Sequence, residues 1–308
     1  VADLEYHSAL GGMWIDRFDW REQMVTRGLS GEQRDQVTEF VDRGYIILRK
    51  AADEAAIDAF QDRISKAFAE GDAQVKYQPH GSWSVLSLAG PIDRFGTRIV
   101  DSFVPFEEAL DLFSSPRLLD FLELVFDDKA LLFQSLSFDK GSQQGLHRDT
   151  AYVVVDRPME MAACWIALED IKVGSGELVY VPGSHRDPEF LFEGGRKHWI
   201  STEDGPDPHD AWSRQIQACA ASNPAGRETF QARKGDILIW HADLAHGGSK
   251  VTDDSLSRQS LVGHFCPSSA RPHYFNLGMN RETVKAYGRL NFASIHYDLA
   301  TFDRVERE

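Results

Sequence analysis

His147 and Asp149 stand two apart in the run Gly145-Leu146-His147-Arg148-Asp149. On an extended segment successive side chains alternate faces, so the imidazole and the carboxylate project one way and Arg148 the other. A third donor is available in GDILIWHADLAHGG (235–248), which carries His246 near its end. Two imidazoles and one carboxylate on one face of a ferrous ion leave the opposite positions open, the ligand set through which non-haem iron activates oxygen. Twelve residues after His246 comes Arg258, a fixed cation whose planar fork grips a carboxylate with two parallel hydrogen bonds. A His-x-Asp pair alone is a weak signal, because short motifs recur on ordinary surfaces. The order His-x-Asp, His, Arg on a strand-rich background makes it specific. His241 competes with His246 as third ligand, being placed directly after a predicted strand. His246 is preferred because Gly247 and Gly248 let the backbone come close.

The elements that must hold these residues are partly visible in the pattern. Ser30-x-x-Gln33 is a capping box and predicts a helix to about Arg43, stopped by Gly44. Tyr45 to Leu48 is a short strand. Asp53 opens a second helix with Ile57, Phe60, Ile64 and Phe68 on one stripe. Residues 71–100 show no lasting period. Ser115-Pro116 starts a helix with Leu118, Leu119, Leu122 and Phe126 on its buried face. Strands dominate from Ala130. In ALLFQSLSF, Gln134 shares parity with Leu132, Leu136 and Phe138; on an apolar face it needs a polar partner, either a ligand or a buried water. Met161 to Leu168 is a continuous apolar strand holding Trp165. Leu178 to Val181 is another, ending at the turn Pro182-Gly183-Ser184-His185, where His185 is expected to bond locally. Residues 186–229 form a long polar insertion with a helix from Asp207-Pro208 to Ala220, of a length that marks a lid or a disordered loop. A turn at Lys234-Gly235-Asp236 leads into Ile237 to Trp240, Ser260 to Phe265 is the last clear strand, and the tail after Asn276 is predicted as one or two helices. Residues 1–29, with Trp14, Phe18 and Trp20, form an arm, packed on its own chain or on a partner subunit, with the first the simpler reading. Short strands behind a helical layer predict a β-sandwich or jelly roll. The expected organisation is one domain over 1–308: arm 1–29, mostly helical flank 30–128, core 130–275 with the insertion 186–229, and tail 276–308.

The 33 Lys and Arg against 48 Asp and Glu give a net charge of −15. Such a surface repels phosphate backbones and anionic membranes, so neither nucleic acid nor membrane is an expected partner; a small-molecule substrate is, and a homo-oligomer is left open. Three cysteines, Cys164, Cys219 and Cys266, contain no CxxC pair. That argues against a disulfide framework or a zinc knuckle and for a reducing compartment, read here as the cytoplasm. No signal-like start and no run of about 18 apolar residues is present.

Four segments carry a resemblance: QSLSFDKGSQQGLHRD (134–149), CWIALEDIKVGSGELVYVPGSH (164–185), GDILIWHADLAHGGS (235–249) and SRQSLVGHF (257–265). Over roughly residues 30 to 275 the chain resembles the phytanoyl-CoA dioxygenase family of Fe(II)/2-oxoglutarate-dependent oxygenases. The resemblance implies a mainly β fold with flanking helices, the cupin-like double-stranded β-helix. It implies Fe(II), 2-oxoglutarate as cosubstrate and O2. His147, Asp149 and His246 would be the iron ligands, Arg258 the grip on the distal carboxylate of 2-oxoglutarate, and Gln134 and Trp165 residues of the cosubstrate pocket. The spacing from His246 to Arg258 also suits the family. The family often carries His-Gly-Ser at the distal histidine, with the Ser touching 2-oxoglutarate; here the run is His246-Gly247-Gly248-Ser249, which sets Ser249 one residue further on. The implied reaction is hydroxylation of an unactivated C–H bond of a small metabolite, with release of succinate and CO2. Halogenation is disfavoured, since Asp149 fills the position chloride needs. Two alternatives stand beside it, a metal enzyme on the same barrel without 2-oxoglutarate and a non-catalytic binding module. Arg258 and Gln134 count against the first, and the intact ligand set against the second. Arg98, Arg271, His273, Tyr152 and the insertion are candidate substrate contacts, and fold does not fix the substrate.

Overall fold

Capping and stop signals shape the N-terminal third. The computed structural model describes residues 5–277 and 281–302. After α1 (Trp20–Thr26), α2 (Gly31–Arg43) begins where Ser30 Oγ accepts from the Gln33 N–H and the Gln33 side chain accepts from the Ser30 N–H. It ends at Gly44, which takes a left-handed conformation at φ 79°, and the chain turns into β1 (Tyr45–Leu48). Asp53 caps α3 (Glu54–Glu70), which buries its apolar stripe. The next stretch departs from the helical flank expected there: it forms β2 (Asp72–Pro79), β3 (Leu86–Leu88) and β4 (Thr97–Val100). Burial along β2 has no period of two and its pairing with β3 breaks register, so no alternation marks it as a strand. Then come α4 (Glu107–Phe113), α5 (Pro116–Phe126) with its proline in the first turn, and β5 (Ala130–Phe138).

The remaining elements are β6 (Ala162–Ala167), β7 (Leu178–Tyr180), α6 (Ser201–Asp204), α7 (Pro206–Ser222), β8 (Glu228–Thr229), β9 (Ile237–His241), β10 (His246–Gly248), β11 (Ser260–Pro267), β12 (Lys285–Tyr287) and β13 (Leu290–Phe292). The major sheet runs β1-β9-β6-β11-β5-β4-β2-β3, and β13 adds parallel to β5. The minor sheet is β10-β7-β8, extended by a bridge between His246 and His147. Between the sheets lie Tyr45, Trp165, Tyr180, Leu238, Trp240 and Val262. Helices α2 to α5 cover the other face of the major sheet, with Phe40, Phe60, Phe113 and Phe121 buried there. This is the expected jelly roll, mainly antiparallel.

Three further expectations are corrected or sharpened. Among the described residues the tail holds the β12–β13 hairpin rather than helices, turning at Gly288 with φ 57°. The insertion is ordered: α7 buries Trp212, Ile216 and Ala220 against Leu146, Ala151 and Val181, beside the His-x-Asp segment. The arm packs on its own chain, where Trp14 and Trp20 are buried and Trp14 Nε1 donates to the Leu124 carbonyl at 2.9 Å.

Candidate functional site

His147 and His246 face each other across a reciprocal backbone pair, His147 N–H to His246 O at 2.9 Å and the reverse at 3.0 Å. Asp149 does not share a strand with His147; it opens a 3-10 turn, and its N–H bonds the Ala242 carbonyl. Arg148 between them is extended, φ −115° and ψ 137°, and that single extended residue keeps His147 and Asp149 on one side. Asp149 Oδ1 lies 3.8 Å from His147 Nε2 and 3.5 Å from His246 Nε2. One donor atom from each residue falls within 4.8 Å of the others. The side chains are 12%, 6% and 8% exposed for His147, Asp149 and His246.

A surrounding set of bonds aims these atoms. His147 Nδ1 is 2.9 Å from the Gly145 carbonyl and His246 Nδ1 is 3.0 Å from the Leu244 carbonyl. A carbonyl only accepts, so Nδ1 carries the proton and each Nε2 lone pair faces the centre. Burial, and then the neighbouring His246, push His147 down to about 4, so it is a neutral donor at physiological pH. Burial alone would raise the Asp149 pKa. The imidazoles of His246, His264 and His147 outweigh it and hold the carboxyl well below its ordinary range. Trp240 Nε1 donates to Asp149 Oδ2 at 2.8 Å, and His264 Nε2 lies 3.5 Å from the same oxygen. Two imidazole nitrogens and one carboxylate oxygen thus converge as a set suited to a borderline divalent metal such as Fe(II).

His241, the rival ligand, points away. Alternation along β9 turns Trp240 to the centre and His241 to the opposite face, near Phe40 and His185 and 3.4 Å from Asp16 of the arm. His185 does not bond locally as expected; its Nε2 is 3.0 Å from the Val41 carbonyl of α2. Trp240 and His264 escaped the sequence reading. The available signal for His264 was parity, since it shares a face of β11 with Val262 and is even-numbered with Arg258.

An inner chamber of about 470 Å³ joins the three candidate ligands to Arg258, Trp165 and His264. Arg258 is 3% exposed, and among the described residues its one side-chain bond is a long contact to the Lys140 carbonyl at 3.5 Å. Burial pulls its pKa down to about 10, against the pull of Glu169 and Glu177. Its Nε and the Trp165 Nε1 are buried without hydrogen-bond partners. Unpaired donors of this kind call for an acceptor, and a guanidinium calls for an anion. Gln134 and Ser249 are not brought into this lining. A bulge between His264 and Phe265 makes β5 carry an extra residue, so Leu132 faces the helices while Leu136 and Phe138 face the barrel. Gln134 is half-buried opposite His264 in that ladder, outside the chamber lining. Ser249 Oγ instead donates to Glu177 Oε2 at 2.5 Å. The two glycines before it let backbone come close, as expected, and the backbone that does so is the segment 143–145. A Cβ on Gly247 would lie 2.6 Å from the Gln144 carbonyl, and one on Gly248 would lie 2.9 Å from the Gln143 nitrogen. Their bareness lets the 143–145 segment pack against β10.

An outer cleft of about 1450 Å³ opens from the same centre. It is walled by the turn 79–83, Arg98, Tyr152, Trp199 and His209. Arg98, Tyr152 and the insertion thus reach the cleft, whereas Arg271 and His273 do not line it.

A jelly roll with this His–Asp–His centre and a buried arginine beside it defines the class of non-haem iron, 2-oxoglutarate-dependent oxygenases. Within that class the chain belongs to the phytanoyl-CoA dioxygenase (PhyH) family, whose model matches residues 40–260. The peroxisomal phytanoyl-CoA dioxygenase of Homo sapiens is 21% identical over 266 residues, covering 80% of this chain and 71% of that protein. Among solved structures, the non-heme alpha ketoglutarate dependent carbocyclase SnoK from nogalamycin biosynthesis aligns with a TM-score of 0.60 at 19% identity, over 79% of this chain and 86% of that one. EctD from S. alaskensis with 2-oxoglutarate and 5-hydroxyectoine aligns with a TM-score of 0.53 at 17% identity, over 78% and 76%. At these identities the structural likeness is one of fold. Among the described residues no helix is long and apolar enough to cross a membrane.

Proposed function

We propose that this chain is an Fe(II)/2-oxoglutarate-dependent dioxygenase that hydroxylates an unactivated C–H bond of a small organic molecule, releasing succinate and CO2. The carrying observation is Arg258, a buried guanidinium that forms no ion pair among the described residues, in the chamber that holds the His–Asp–His set. His147, Asp149 and His246 are the residues to hold the iron. Arg258 takes the distal carboxylate of 2-oxoglutarate with its planar fork, and the Trp165 N–H is a further donor. When bound, iron, 2-oxoglutarate and O2 supply the oxidising power: the cosubstrate loses CO2, one oxygen atom goes to succinate and one to the substrate carbon.

The chain's own part is to bind, orient and shield. Trp240 fixes Asp149 Oδ2 and so turns Oδ1 toward the imidazoles. Phe138, Leu178 and Val262 give the inner chamber apolar walls that keep water from the reacting atoms. A metal enzyme without 2-oxoglutarate leaves Arg258 and Trp165 unexplained. The three free thiols support a reducing compartment such as the cytoplasm. The test is anaerobic titration of the Fe(II)-loaded chain with 2-oxoglutarate, followed by succinate release under O2 across a metabolite panel. An iron-loaded chain that binds no 2-oxoglutarate sinks the proposal.

A further inference from the structure

The outer cleft contains a cation that no carboxylate among the described residues neutralises. Arg98 projects from β4 into the cleft that also exposes Phe138, His147, Asp149 and His264. Its Nε donates to Gln78 Oε1 at 2.9 Å, and Gln78 Nε2 donates to the Ser82 carbonyl at 2.5 Å. The side chain is therefore pinned through the turn 79–83. Among the described residues its two terminal nitrogens have no partner and no carboxylate pairs with it. Burial pulls its pKa down, with no neighbouring acid to offset the effect. A partly buried guanidinium held in one direction without a counter-ion is a binding group for an anion that arrives from outside.

The rest of the cleft is aromatic. Tyr152 and His209 share a hydrogen bond of 2.8 Å, and the Trp199 ring lies 4.4 Å from that of His209. Opposite them the turn carries Trp83, 81% exposed. Such rings bury a carbon skeleton while leaving its polar end to a charged partner.

We propose that the substrate is an organic acid, whose carboxylate or phosphate is gripped by Arg98 while the aromatic walls enclose its carbon body. The inference rests on the iron and 2-oxoglutarate reading of the inner chamber. It assigns the two arginines to two different acids, Arg258 to the cosubstrate and Arg98 to the substrate.

The experiment uses the full chain and three probes that differ at one end: 3-phenylpropanoate, phenethyl phosphate and neutral 3-phenylpropanamide. Binding is read by tryptophan fluorescence without metal or cosubstrate, and again by succinate release from the chain loaded with Fe(II) and 2-oxoglutarate. The wild type should bind at least one anion roughly tenfold or more tighter than the amide, as one charge-assisted bond provides. Arg98→Ala should weaken that anion by about 10- to 150-fold and leave the amide unchanged, with Arg98→Lys in between. Whether the carboxylate or the phosphate gains more tells which acid the cleft takes. Repeating the titration in Arg258→Ala separates the arginines: the preference for the anion should persist there. Equal binding of anions and amide, no binding of either anion, loss of the preference in Arg258→Ala alone, or unchanged anion affinity in Arg98→Ala would each overturn the proposal. Failure of the inner-chamber reading would show differently, as absent iron or 2-oxoglutarate loading with the fluorescence preference intact.

Discussion

Asp149 is the one carboxylate among the three candidate donors, and its second oxygen is occupied by Trp240. Asp149→Ala should therefore abolish both iron retention, measured by metal analysis, and 2-oxoglutarate turnover. His246→Ala should lose iron far more severely than His241→Ala, whose ring faces Asp16 and the helices; equal retention would mean the wrong histidine. Arg258→Lys keeps a charge but not the fork, so 2-oxoglutarate should bind about 10- to 150-fold more weakly in an anaerobic titration, the loss of one charge-assisted bond. At this scale the sequence was informative where a residue's type and spacing carry the chemistry, as for His147, Asp149, His246 and Arg258. Trp240 and His264 were hidden because what marks them is Asp149 Oδ2, about 90 or more positions away in the chain. Gln134 keeps the parity of Leu136 and Phe138 and stands opposite His264, and the bulge displaces only Leu132 from the expected face.

The elements bearing the ligands are fixed from behind by a buried ionic cluster. Asp243, between β9 and β10, accepts from Thr150 Oγ1 and Lys197 Nζ, each at 2.6 Å, and lies 3.6 Å from Arg148 Nη1. It thereby ties the His-x-Asp segment, the His246 segment and the insertion together. Burial alone would raise its pKa, but Lys197 and Arg148 outweigh that and hold it well below the usual range. A depressed folded pKa contributes stability that is present above the unfolded value of about 3.9 and lost as pH falls through the folded one. Acid unfolding of the wild type should steepen below about pH 4, and Asp243→Asn should flatten that limb. At neutral pH the same change should cost toward the lower end of about 3–5 kcal/mol in denaturant unfolding, because Glu189 and Asp187 still face Lys197 and Arg148. Helices with caps and apolar stripes were legible in advance. Strands β2 to β4 and the β12–β13 hairpin were not, because their residues are half-exposed or too few for a period to emerge.

For the molecule as a whole, the strand pattern reached a β-sandwich or jelly roll, and only the family resemblance narrowed it to the double-stranded β-helix. Its minor sheet is built from strands of two or three residues and one bridge, with no periodicity to detect. That bridge sets the spacing of His147 and His246 through backbone hydrogen bonds that owe nothing to a metal. Chelation should leave the far-UV circular dichroism unchanged while lowering the melting temperature through linkage alone, about 2.7 kcal/mol when the free metal is 100-fold above its dissociation constant. Loss of sheet signal on chelation would contradict this. The two cavities share Phe138, Ser142, Gln144, His147, Asp149 and His264, and the outer one adds the turn 79–83, Arg98 of β4, and Trp199 and His209 of the insertion. The insertion is bound to the ligand segments through Lys197 and Asp243, so the turn is the wall that selectivity can change most freely. Drift in that turn can retarget the catalyst to a new metabolite with the oxygen-activating apparatus left in place, and an engineer can exchange it as a cassette.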